Sequence, residues 1–151
     1  MDAKPQTPFV EKVNTRYLET LLGYNSRRAA LAIIEVFLER MAIYDLRVVD
    51  FSVLSLVIHN PGITSRQLCA TLGIQAPNLV SMVSALEKRD LIARQPHPLD
   101  GRAMGLHPTP AGLKMMQAAE KTASQLELDT TARLTDAERK TLQQLLKKIY
   151  K

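Results

Sequence analysis

Three residues separate Gly73 from Pro77, and no other pair limits the fold as tightly. A glycine just past a helix accepts the left-handed backbone that ends it, and a proline is tolerated only in a helix's first turn. One helix therefore stops and another starts within a single tight turn. Upstream, "TSRQLCATLG" begins with Thr64 and Gln67 at capping-box spacing, hydroxyl to backbone N–H and amide reaching back. Leu68 and Leu72 face inward. Downstream, "IQAPNLVSMVSALEKRD" predicts a helix starting at Gln75 or Ala76, with Leu79, Val83 and Leu86 as its buried stripe and Met82 beside them. At ~100° per residue, Pro77, Asn78, Ser81, Ser84 and Lys88 point the other way. That outer face is small and polar, with one cation toward its end.

After this pair, "LIARQ" and "AMGLHP" flank "PHPLDGR" and read as two strands of a small hairpin. Helix, tight turn, helix and hairpin together predict a winged helix-turn-helix. Its second helix has to lie in a DNA major groove, which suits a face of Asn78, Ser81 and Ser84. Asparagine bonds adenine edges, and serine bonds bases or phosphates. Arg102, at the hairpin tip, is placed to reach the narrow, strongly negative minor groove. Asp100 would be repelled by phosphates and is expected to pair inward, with a cation or with loop N–H groups, so that it fixes the tip. Ser65 and Arg66 open the first helix of the pair, where N–H groups and a cation meet a phosphate well. Gln75, Pro77, Lys88, Arg94 and His97 complete the candidate DNA-binding set. For Arg94, phosphate contact and pairing with Asp100 are the two readings. For His97 they are backbone contact and simple solvation.

The flanking regions read as helical. Residues 1–8 hold two prolines and are expected to be a loose arm. From Phe9 to about Leu46 the pattern is mostly helical, with Leu18, Leu21 and Leu22 on one face and Leu31, Ile34, Phe37 and Leu38 on another. Gly23 stands between them as a break or kink. Phe51, Leu54, Leu56, Val57 and Ile58 form a short apolar helix that ends before "HNPG". Thr109 caps a further helix with Pro110 in its first position, running through Met115, Met116 and Ala119 toward Leu126. Thr135 and Glu138 make a second capping box before the last helix, whose apolar stripe is Leu142, Leu145, Leu146 and Ile149.

The order of these elements resembles the MarR family of transcriptional regulators over roughly Gly23 to the C-terminus. The most specific piece is "DGRAMGLHPTPAG", similar to the family's wing motif, in which Asp100, Arg102, Thr109 and Gly112 fall at the family's spacing. Leu91-Ile92 and Arg94 fit the segment entering the wing, and "PGITSRQLCATLGI" looks like the first helix of the helix-turn-helix. Two positions depart. Pro108 replaces the usual leucine before threonine, so the second wing strand is expected to end early. Asp90, in "KRDLI", takes a turn position usually held by glycine, which aspartate tolerates better than most residues.

The resemblance implies a mainly α fold in three parts. These are an N-terminal arm and dimerisation helices (1–46), a winged helix-turn-helix DNA-binding domain (47–108) and C-terminal dimerisation helices (109–151). It also implies a homodimer on a pseudo-palindromic operator and a small-molecule effector such as an aromatic carboxylate. Apolar walls and a cationic or hydroxyl anchor are what such an effector needs; Tyr24, Asn25, Arg28 and His59 are the candidates. The expected function is a ligand-responsive transcriptional repressor of the cytoplasm. The alternative is a winged-helix protein-interaction module without DNA binding.

Bulk properties bear on these readings. The net charge of +5 points to an anionic partner or to a solvated basic surface. The single cysteine, Cys69, excludes an internal disulfide, fits a reducing compartment, and reads as a small buried hydrophobe. No run approaches the ~18–20 apolar residues of a membrane span, and "MDAKPQTPFVEKV" lacks an apolar signal core. Catalysis would need a nucleophile beside a base, or a metal cluster. The three histidines offer neither, so no enzyme activity, metal or cofactor is expected.

Overall fold

The computed structural model describes residues 9–151; the loose arm expected for residues 1–8 lies outside them. Packing divides the chain after Ala32. In the first unit a 3₁₀ turn, Leu18–Thr20, precedes helix α1, Leu22–Met41, which runs on into the second unit. The helix expected from Phe9 does not form. Asn14 Oδ1 accepts the Arg16 backbone N–H at 3.0 Å, a local turn that competes with helix. Nor does Gly23 mark the break. It lies in the first turn of α1, and the break falls at Leu21, whose backbone is extended (φ −94°, ψ 126°). Asn25 closes it by donating its amide to the carbonyls of Glu19 and Leu21.

The second unit holds the end of α1, then α2 (Val48–His59), β1 (Ile63–Thr64), α3 (Ser65–Leu72), α4 (Ala76–Lys88), β2 (Ile92–His97), β3 (Asp100–Pro108), α5 (Pro110–Thr130) and α6 (Asp136–Tyr150). Local chemistry sets most of these ends. The capping boxes at Thr64/Gln67 and Thr135/Glu138 both form, and the Thr135 N–H and hydroxyl hold the Glu138 carboxyl below its usual range. Thr109 caps α5 by accepting the Gly112 N–H at 3.0 Å. Gly73 adopts φ 64° after α3, and Gln75 is the N-cap of α4. Helix α2 starts three residues ahead of its apolar run, because Asp50 receives both the backbone N–H and the guanidinium of Arg47. That bond and the carboxylate's charge raise the Arg47 pKa.

The hairpin belongs to a three-stranded antiparallel sheet in the order β1-β3-β2. Strand β1 was not visible in the sequence: two residues pair with Leu106 and Gly105, too few for any periodicity. Strand β3 does not end early. It runs through Pro108, opposite Ile92. Proline's missing donor costs nothing there, because the next N–H, of Thr109, bonds the Leu91 carbonyl at 3.1 Å. Toward the tip the register slips between Pro96↔Met104 and His97↔Asp100, so residues 101–103 bulge from the ladder.

One apolar core unites these elements. It takes Val53, Leu54 and Val57 from α2, Leu68 from α3, Leu79, Val83 and Leu86 from α4, Leu91, Ile92 and Leu106 from the wing, and Met116, Ala119 and Leu126 from α5. Of the expected stripe on α1, Phe37 is buried, with its ring edge-on to Phe51 at 5.4 Å. Met41 takes the deepest position, whereas Leu31 and Leu38 are exposed. The tightest approach is at Gly112. A Cβ there would lie 2.1 Å from the Leu91 carbonyl oxygen, so Gly112→Ala must push α5 away from the wing. Overpacking against backbone costs about 3 kcal/mol, on the order of 10 °C in Tm for a chain of this size. Thermal unfolding at fixed protein concentration checks this; a Tm within ~2 °C of the parent would mean that the junction yields freely.

Candidate nucleic-acid interface and an apolar cavity

Helices α3 and α4 turn through 117°. Leu68, Leu79, Val83 and Leu86 are sealed in the core, so the opposite face of α4 is left outward. Gln75, Pro77, Asn78, Ser81 and Lys88 are exposed on it; Ser84 is half-buried and turned partly aside. Ser81 bonds back to the Pro77 carbonyl only at 3.4 Å. Val80, more than half exposed among these polar groups, carried no polar signal in the sequence.

The wing tip is organised by its own side chains. Asp100 Oδ1 accepts the Arg102 backbone N–H at 3.0 Å, and His97 Nδ1 accepts that of Leu99 at 3.2 Å. The acid therefore does hold the tip through a loop N–H. Arg102 is exposed and forms no ion pair among the described residues. Arg94 pairs with neither a tip residue nor Asp100. Its Nε lies 2.9 Å from Glu87 Oε2, because the base of β2 runs beside the end of α4. Ser65, Arg66, His97 and Asp100 line one open cleft of about 440 Å³ between the start of α3 and the wing. Arg89 donates to the carbonyls of Tyr44 and Asp45, both at 2.7 Å, and ties the end of α4 to the start of α2.

The candidate effector residues fare differently. Tyr24, Asn25 and Arg28 lie on the first two turns of α1; Tyr24 is half-buried and the other two are exposed. The Asn25 amide is already committed to Glu19 and Leu21. His59 is held by α5: its Nε2 lies 2.8 Å from Glu120 Oε1, which also accepts the Ser55 hydroxyl. A cavity of about 220 Å³ in the second unit has no counterpart in the sequence reading. Ile33, Ile34 and Phe37 of α1, Val48 and Phe51 of α2, and Ala123 and Leu126 of α5 form its apolar walls, with Ser52 and Glu127 as its polar members. Each wall residue reads singly as ordinary core, so only the packing of three helices shows that they leave space between them.

Among the described residues no cluster of His, Cys, Asp or Glu could hold a metal ion, and no single helix is long and apolar enough to cross a membrane. Cys69 is half-buried against the core.

Comparison with known proteins agrees with this architecture. Residues 44–103 match the model of the MarR family. A Thauera aromatica protein, to which transcriptional regulation of the hcr operon has been ascribed, is 31% identical over 131 residues, covering 86% of this chain and 79% of its own. The transcriptional repressor CouR, solved on a 23-mer DNA duplex, is 36% identical and superposes with a TM-score of 0.86, covering 93% of this chain and all of CouR. CouR has also been solved with p-coumaroyl-CoA (35% identity, TM-score 0.80, 93% of this chain and 97% of that one). MarR of E. coli, without ligand, is 25% identical with a TM-score of 0.74, covering 87% of this chain and 98% of that one. With its winged helix-turn-helix, its Asp100–Arg102 wing tip and these relatives, the chain belongs to the MarR family of transcriptional regulators, which are not enzymes.

Proposed function

We propose that this protein is a homodimeric, DNA-binding repressor that releases its operator when a small aromatic ligand binds. In this reading residues 47–108 are the DNA-binding part, and residues 1–46 and 109–151 supply the dimer. The single observation that carries it is the wing tip: Asp100 Oδ1 accepts the Arg102 backbone N–H, and the exposed Arg102 side chain forms no ion pair among the described residues. Asn78 and Ser81 on α4 read bases in the major groove, while Gln75, Pro77, Ser84 and Lys88 complete that face. Ser65, Arg66, Arg94 and His97 meet phosphates. The likeness to CouR, solved on DNA, supports this assignment.

Dimerisation is supported by α6, none of whose residues is buried. Leu142, Leu145, Leu146 and Ile149 stand exposed along it, a stripe that a second copy would cover. The two winged units then reach half-sites about one DNA turn apart. A ligand lowers affinity by binding better to the geometry in which they no longer fit. The ligand is an aromatic acid or a derivative of one, in keeping with the p-coumaroyl-CoA held by CouR, and its ring occupies the cavity between α1, α2 and α5. Tyr24, Asn25 and Arg28 in the first unit, and His59 in the second, are each proposed as a polar contact for an effector.

Arg102→Ala is expected to weaken binding to a selected operator by about tenfold and to lower the salt slope by roughly one unit, with the dimer intact; unchanged affinity in a titration at two salt concentrations would remove the wing from the interface. Asn78→Ala should narrow the gap between operator and random duplex by about 1–3 kcal/mol; an equal loss on both duplexes would mean that Asn78 reads no base. Leu145→Asp combined with Ile149→Asp should weaken self-association by at least ~100-fold. Sedimentation equilibrium reads this directly, and an undiminished dimer would place the interface elsewhere.

A further inference from the structure

We infer that Glu127 selects the effector: the aryl end that enters the cavity is uncharged and carries a hydrogen-bond donor, such as a phenolic hydroxyl, while any negative charge of the ligand stays outside. This rests on the cavity reading above and adds to it a residue and a ligand chemistry. Among the described residues no cation lines the cavity, and its walls are aliphatic and aromatic. Two of the described lining residues, Ser52 and Glu127, bear polar side chains. Ser52 donates its hydroxyl hydrogen to the Val48 carbonyl at 3.0 Å, so it can accept from a ligand but has no proton left to offer a carboxylate. Glu127 lines the cavity and is exposed, and among the described residues no side chain bonds its carboxylate and no cation pairs with it. Arg40, the cation that α1 sends to α5, is taken by Asp129, whose carboxyl it holds below the usual range.

A carboxylate pushed into this space would lose its water, gain no donor and meet a like charge, which is costly on each count. A hydroxyl on the ring meets the opposite situation, since a donor to a carboxylate forms one of the stronger classes of hydrogen bond. The ring satisfies the apolar walls, its hydroxyl satisfies Glu127, and an acid group at the far end of the ligand remains in solvent or is masked as an ester.

Calorimetric titration of the full-length dimer tests this with three probes: methyl 4-hydroxybenzoate, methyl 4-methoxybenzoate and the free acid 4-hydroxybenzoate. The hydroxy ester should bind about tenfold or more tightly than the methoxy ester, and Glu127→Ala should reduce that ratio to about twofold or less. The free acid should bind more weakly than the hydroxy ester, if its carboxylate is drawn toward the cavity, or equally, if it stays outside; tighter binding of the free acid overturns the proposal. So does equal binding of the two esters, or a preference for the hydroxyl that survives in Glu127→Ala. Ala123→Leu narrows a wall and separates the two levels of the argument. If it leaves both ester affinities unchanged, or if neither ester binds the parent, the cavity reading itself fails. If it weakens both while the hydroxyl preference is absent, only the role of Glu127 fails.

Discussion

The architecture hangs on one backbone junction, where the end of α4, both wing strands and the start of α5 meet within a few residues. Asp90 takes φ 56° and turns the chain out of α4. Its carbonyl accepts the Thr109 hydroxyl, and the carbonyl of Leu91 accepts the Thr109 N–H. Thr109 then caps α5 through the Gly112 N–H, and Gly112 lets that first turn press against Leu91. The threonine and glycine of the wing motif are thus explained by geometry: one hydroxyl serves two backbone groups, and one missing side chain permits the contact. Because the wing leaves α4 through this junction, the direction of the hairpin relative to the outward face of α4 is fixed here.

Charge is arranged around that frame in a consistent way. Two acids beside α4 and the wing have structural partners. Glu87 is spent on Arg94, which fastens the base of β2 to α4. Asp100 is spent on the N–H of Arg102, which shapes the tip. Arg66, Lys88 and Arg102 are left exposed.

The apolar residues divide in the same fashion. Most of those of α2, α3, α4 and the wing are consumed in one core, Val80, Leu99 and Met104 excepted, whereas α6 keeps its stripe in solvent and buries nothing. Its capping box secures the helix locally, but a helix with a free apolar face gains little from the chain that carries it. The cavity between α1, α2 and α5 is the complementary case, a place inside the packed unit where facing side chains stop short of one another.

The sequence by itself determined where most elements begin and end. Caps, prolines and left-handed turn residues act within a few positions of themselves, so Thr64, Gly73, Pro77, Asp90, Thr109 and Thr135 could be read in place. It also determined which face of α4 stays outward, since a period of ~3.6 residues fixes that without any partner. Only the tertiary structure decided the partners that different elements take. It paired Arg94 with Glu87 instead of Asp100, gave His59 to Glu120, added β1 to the hairpin, carried β3 through Pro108 and opened the cavity beside Phe51. Each of these depends on how separate elements pack against one another, and local periodicity contains no information about that. Of the two-part helical region expected from Phe9, only α1 forms; before it Asn14 makes an Asx turn with the Arg16 N–H, and Phe9, Val10 and Val13 stay exposed.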